Sequence, residues 1–124
     1  MAKYPKIEDK DFYKKISTIF NKFKIKDKKL NLDDICYPDK FKLQIPQQMV
    51  SNFINPSTPY KGILLFHQIG AGKTCAAVSI AENFKNKLNI LVVTPASLMG
   101  NFYKELRSEC TGDDYLKPKD RNSL

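Results

Sequence analysis

The residues with chemistry in them lie close together. Residues 62–82 read GILLFHQIGAGKTCAAVSIAE: an apolar run, a turn holding Gly70 and Gly72, then Lys73 and Thr74 ahead of small, helix-compatible residues. Glycines at such a turn let the backbone bend until successive N–H groups face the same oxygens, which makes a cradle for phosphate. Lys73 adds a full positive charge toward the β- and γ-phosphates of a nucleotide, and the Thr74 hydroxyl is placed to ligate Mg²⁺. The helix that starts there contributes the positive end of its dipole, equivalent to roughly half a charge. A Lys in a first helical turn is unfavourable unless an anion is expected beside it, so the pattern argues for a ligand over an ordinary turn. Lys73 and Thr74 are the candidate catalytic residues. Gln68, Gly70, Ala71, Gly72, Lys73, Thr74 and Cys75 are the expected lining of the nucleotide site, with Thr74 as the metal ligand.

Two positions in this stretch have plainer readings. The strict pattern G-x-x-x-x-G-K-[ST] wants Gly at position 67, where the chain has His67, and a His closing an apolar strand is more often a packed, hydrogen-bonded residue than a catalytic one. Cys75 reads most simply as a small buried residue.

The elements that must position this site follow from periodicity. Residues 62–66 and 90–94 (ILVVT) are continuous apolar runs of strand length, each followed by a helical pattern: from Lys73 to about Phe84, and from about Ser97 to Glu109. Two β-α units result, and runs that are apolar throughout suit parallel strands covered on both faces. Upstream, Pro46 opens a short helix over about 46–54, and the two prolines of NPSTPYK make a loop. The stretch EDKDFYKKISTIFNKF carries Phe12, Ile16, Phe20 and Phe23 at helical spacing, a stripe better suited to docking the helix on the main domain than to a dedicated nucleic-acid face. Asp33, Asp34, Pro38 and Asp39 read as turn residues, and Asp113 and Asp114 as turn acids in a polar tail. The expected organisation is a basic helical extension over 1–42, an α/β lobe over 43–112 and a tail over 113–124.

Bulk properties bound the alternatives. The chain has 124 residues, 42% hydrophobic and 27% charged, which suits one small folded domain and argues against wholesale disorder. A net charge of +8 favours polyanionic partners such as nucleic acid. Cys36, Cys75 and Cys110 are odd in number and show no C-x-x-C pairing, so neither a disulfide framework nor a zinc site is indicated and a reducing, intracellular compartment is expected. No run approaches the roughly 18 residues needed to span a bilayer and MAKYPKIEDK lacks a signal-peptide core, so no membrane association is expected.

The succession of a helix with glutamines, a phosphate loop and a strand ending in Thr-Pro resembles the first, RecA-like lobe of a superfamily 2 helicase or translocase. HQIGAGKT is similar to that family's motif I, usually [AG]-x-x-G-x-G-K-[ST], and His at its first position looks like the poxvirus-type and giant-virus nucleoside triphosphatases and early-transcription helicases. IPQQMVSNFI is similar to the segment in which a Gln reads the adenine edge, with Gln48 the best match and Gln47 the fallback; a Gln amide offers the donor and acceptor that adenine presents. ILVVTPASLMGNFYKELR resembles motif Ia, which implies that Thr94, Ala96 and Ser97 lie along a nucleic-acid backbone. A hydroxyl and free N–H groups at a helix start suit a phosphate oxygen, and Ser97 is equally suited to cap that helix. The stretch Asn101, Phe102, Tyr103, Lys104, Glu105 is similar to the N-W-x-x-E of SWI/SNF-type translocases, with Phe102 for Trp.

The likeness covers about residues 43–110. It implies ATP and Mg²⁺ as cofactors, DNA or RNA as a partner, transcription machinery or a second helicase lobe as further partners, and the virion or host cytoplasm as the location of a viral member. The D-E-x-[DH] box and second-lobe arginine of a working helicase do not occur in the sequence, so the expectation is a truncated first lobe that binds ATP without efficient turnover. Two other readings stand beside it. A different P-loop nucleoside triphosphatase, such as a small nucleotide kinase, would need an acceptor site for which no residues present themselves, and a non-catalytic basic module would bind nucleic acid or protein through the N-terminal helix.

Overall fold

The structure is a computed structural model, and it describes residues 4–26, 41–66, 68, 70–111 and 115. Four α-helices occur among them: α1 (Phe12–Ile19), α2 (Ile45–Phe53), α3 (Lys73–Glu82) and α4 (Met99–Leu106). Short 3₁₀ turns follow α1 at Asn21–Phe23, precede α4 at Ala96–Leu98 and follow it at Glu109–Thr111. The turns expected at 33–39 and the pair Asp113 and Asp114 lie outside the described residues.

The core is the face shared by α2 and α3. Val50 and Ile54 from one side meet Ala76 and Val78 from the other, all buried. Polar bonds set the direction of the two helices. The Gln47 amide near the start of α2 reaches the carbonyl of Gly72 at the start of α3, the Ser51 hydroxyl donates to the Ser79 carbonyl, and the Asn83 amide past the end of α3 donates to the carbonyls of Ser51 and Ile54. The helices therefore run side by side in the same direction, with both N-termini at the end where the glycine turn lies. Pro46 in the first turn of α2 sits where its missing N–H costs nothing.

An aromatic cluster docks the N-terminal segment on α2 and the segment after it. Phe53 and Tyr60 stack at 4.3 Å between ring centroids, Phe12 and Tyr4 each meet Tyr60 edge-on at 6.0 Å, and Phe20 lies 5.8 Å from Phe53. The Tyr60 hydroxyl, buried, donates to the Pro5 carbonyl at 2.9 Å. The stripe Phe12, Ile16, Phe20 and Phe23 thus faces inward in part or whole, while Tyr13 and the lysines at 6, 10, 14, 15, 22, 24 and 26 stay exposed.

The expected α/β lobe with a short parallel sheet is not what the chain forms: the described residues are helical and contain no strand, bridge or sheet. Residues 62–66 and 90–94 have the right composition, but a strand exists only through ladder bonds to a neighbour, and neither run finds one. Side-chain exposure shows the consequence. Leu64 and Phe66 are 88% and 95% exposed and Leu91 and Val93 are 87% and 88% exposed, whereas buried parallel strands would cover every second residue on each face.

The cysteines also depart from expectation. Cys75 and Cys110 form a disulfide across 35 residues, a spacing that carries no pairing pattern in sequence. Among the described residues no helix is long and apolar enough to cross a membrane.

Candidate functional site

The turn expected to hold phosphate is built around two glycines in the left-handed region, Gly70 at φ 83° and Gly72 at φ 70°. Side chains are disfavoured at such angles, so the turn needs glycine at both positions. Gly72 serves a second purpose. A Cβ there would collide with the Gln47 amide nitrogen, whereas one at Gly70 would meet open space.

Gly72 is the N-cap of α3, and no side chain caps that end. Its carbonyl accepts twice, from the Ala76 N–H at 3.0 Å and from Gln47 Nε2 at 3.2 Å. The Gln47 Oε1 in turn accepts from the Gln44 N–H at 2.8 Å, so the buried amide is satisfied at both ends and ties the first turn of α2 to the loop. Gln48, the residue that the sequence favoured for adenine, instead donates to the Leu43 carbonyl at 2.6 Å beside its own helix. Position along the helix sets their different bonds: Gln47 lies on the face with Val50 and Ile54, and Gln48 is turned one residue away.

Two donors of the loop converge on one oxygen. Lys73 Nζ donates to the Gln68 carbonyl at 2.8 Å, and the Ala71 N–H approaches the same carbonyl at 3.3 Å. Thr74 is exposed in the first turn of α3 with its neighbour Cys75 turned inward and buried. Gln68 and Gly70 are exposed and Ala71 is half-buried, while His67 lies outside the described residues. The expected lining is therefore contiguous and open, with Cys75 on the core side of the helix.

The motif Ia-like residues sit before α4. Thr94 is half-buried and its hydroxyl meets the Pro95 carbonyl at 3.3 Å; Ala96 and Ser97 are exposed in the 3₁₀ turn. Ser97 does not cap: Pro95 and Leu98 hold the cap positions of the 3₁₀ turn and of α4, and neither makes a side-chain cap bond. What sequence reasoning missed is the Cys75 to Cys110 bond, which brings the residues after α4 to the first turn of α3 beside Thr74.

Comparison with known proteins gives a consistent family. Over 121 residues, 98% of the chain, it is 52% identical to a protein of Acanthamoeba polyphaga mimivirus named as an ATP-dependent RNA helicase. It is 41% identical over 93 residues to a protein of Invertebrate iridescent virus 3 named as a helicase, and 52% identical over 40 residues to the early transcription factor large subunit homolog of African swine fever virus. These matches take in 64% and 32% of the chain. The chain spans 21%, 10% and 4% of the lengths of these three relatives. No protein-family model matches it, and no solved structure does. A likeness that runs nearly end to end in one relative and recurs across three groups of large DNA viruses places the chain in a viral superfamily 2 helicase-like family.

Proposed function

We propose that the chain is the ATP-binding portion of a superfamily 2 DNA or RNA helicase or translocase, and that it binds MgATP without efficient turnover by itself. The observation that carries this reading is the convergence of the Lys73 ammonium and the Ala71 N–H on the Gln68 carbonyl, between two left-handed glycines and at the start of α3. Donors that share a carbonyl oxygen are arranged to share a phosphate oxygen, and a doubly or triply charged phosphate is the stronger acceptor.

The side-by-side direction of α2 and α3 supports the same reading. Two helix N-termini at one end add their partial positive charges on the loop side, which favours an anion there. Phosphate binding falls to the N–H groups of residues 70–74 and to Lys73, and the Thr74 hydroxyl supplies a ligand to the Mg²⁺ that accompanies the nucleotide. Gln47 holds the loop to α2, and the adenine is left to groups at the exposed edge near Gln48. Phosphoryl transfer needs a carboxylate for metal and water and an arginine at the transferred group. Asp9 and Asp11 are paired with Lys15 and Glu82 with Lys85, and the sequence holds no D-E-x-[DH] box, which supports binding without efficient turnover. The names of the viral relatives support the helicase assignment and nucleic acid as the partner.

Calorimetric titration with MgATP, beside Lys73→Ala and with phosphate release followed in the same samples, tests the reading. Saturable binding that Lys73→Ala abolishes, without turnover, is expected. A folded chain that binds no nucleotide overturns it.

One observation favours a nucleic-acid contact in the N-terminal segment. Its aromatic stripe is used for docking, yet the lysines at 10, 14, 24 and 26 all face solvent. Changing those four to Ala should weaken binding to single-stranded nucleic acid and flatten its salt dependence, without the unfolding that deletion of the docked segment would cause. An unchanged salt slope assigns the contact to residues 94–97.

A further inference from the structure

The Cys75 to Cys110 bond joins α3 to a segment that packs on it without a buried residue of its own. Helix α4, its preceding 3₁₀ turn and the 3₁₀ turn at Glu109–Thr111 contain no buried residue. Leu98, Met99 and Tyr103 are about half exposed. By contrast the α2 and α3 pair has a buried core and several polar bonds. The covalent bond thus adds a cross-link to a thinly buried contact between residues 96–111 and α3.

The two sulfurs differ in a way that sets how the bond opens. Cys75 is buried in the first turn of α3, where the positive end of the helix stabilises a thiolate. Cys110 is half-buried and so the more accessible of the two residues, and a Glu105 carboxylate oxygen lies 3.7 Å from its sulfur. A thiolate at Cys110 would face that carboxylate, so Cys75 is the better leaving group. Attack by an external thiolate on Cys110 Sγ breaks the bond, forms a mixed disulfide at Cys110 and leaves the electron pair on Cys75 Sγ, which then takes a proton from water.

We propose that this pair is a reversible thiol switch, exchanging with small-molecule thiols and disulfides, that decides whether residues 96–111 are held against the phosphate-loop helix. Closing consumes one oxidised small-molecule disulfide such as oxidised glutathione: the two protein thiols lose two protons and two electrons, one S–S bond forms between them, and two small thiols are released. Opening is the reverse and consumes two reduced thiols. In a reducing compartment a bond of this kind is transient and reports the local thiol balance. Because the loop at 94–97 leads directly into α4, opening the bond frees that loop together with the helix. The proposal does not depend on nucleotide binding.

The test uses the full chain, wild type and Cys110→Ser, equilibrated with either oxidised or reduced glutathione and then treated briefly with trypsin. Peptide mapping without reductant is expected to recover Cys75 bonded to Cys110 in the oxidised wild type. Cleavage after Lys104 and Arg107 should be at least tenfold faster in the reduced wild type than in the oxidised, while cleavage within α3 at Lys73 stays unchanged. Cys110→Ser should cleave at the fast rate in both buffers. Equal rates for the two states of the wild type, slow cleavage of Cys110→Ser, or a bond mapped to Cys36 would each overturn the proposal.

Discussion

The Gln47 side-chain amide donates to the Gly72 carbonyl at 3.2 Å, and a Cβ on Gly72 would strike that same amide. The first turn of α2 and the last residue of the glycine turn are fitted to each other, so neither can be changed without consequence for the other.

Removing the amide should therefore destabilise the fold more than removing its neighbour. Gln47→Ala strands the Gln44 N–H and takes one of two donors from Gly72, a cost of about 1–3 kcal/mol; Gln48→Ala, which loses a bond at a half-buried site, should cost under about 1 kcal/mol. Urea unfolding of the two variants measures the difference. Equal losses would mean that the bond to Gly72 carries no special weight.

Substitution at the two glycines should separate backbone strain from collision. Gly70→Ala meets open space and suffers only its positive φ, about 1–2 kcal/mol. Gly72→Ala suffers the same strain and also displaces Gln47. In the double variant Gln47→Ala, Gly72→Ala the collision is gone, so its loss should fall short of the sum of the single losses by at least about 0.5 kcal/mol, as expected for residues in contact. Strict additivity in a double-mutant cycle would contradict the fit.

Tyr60 should give the fold an alkaline limit. Burial, with smaller contributions from Tyr4 and Asp9, pushes its phenol pKa above the ordinary value of 10.0. The folded state thus prefers the protonated phenol. Its contribution is fully present below the unfolded value and is lost as pH rises from there through the folded value. Stability should fall above about pH 10, and Tyr60→Phe should flatten that fall while costing about 1 kcal/mol at neutral pH for the bond to Pro5. Chemical denaturation at pH 7 and pH 10.5 gives both numbers, and an identical alkaline slope in the variant would remove Tyr60 as its source.

The aromatic docking of the N-terminal segment should be concentrated in a few rings. Phe20→Ala empties a buried site against Phe53 and should cost about 3 kcal/mol, whereas Tyr13→Ala, on the solvent side of the same helix, should stay within about 0.5 kcal/mol. Thermal unfolding distinguishes them. Comparable losses would place the contact surface on the wrong face of α1.

Much of the helical framework was legible in the chain. Pro46 and the Lys73 boundary marked α2 and α3 to within a residue at their starts, because both ends are set by local chemistry. The stripe Phe12, Ile16, Phe20 and Phe23 announced its inward face for the same reason. What depended on distant partners was not legible. The bond from Gln47 that ties α2 to the glycine turn needs Gly72, 25 positions away. The bond between Cys75 and Cys110 links elements that only tertiary packing brings together. The runs at 62–66 and 90–94 have strand composition, but composition supplies no neighbour, and without ladder partners they do not become a sheet.

The bond from the Tyr60 hydroxyl to the Pro5 carbonyl spans 55 positions, and it constrains the order in which the protein can assemble during its synthesis. An eight-residue helix such as α1 is too short to persist unaided. At 5–20 residues per second, the ribosome needs about 3–11 s after adding Pro5 before Tyr60 is added, and longer before it emerges. For that interval the apolar stripe of the first helix has no surface to meet. The N-terminal segment therefore waits for Phe53 and Tyr60 before it can dock.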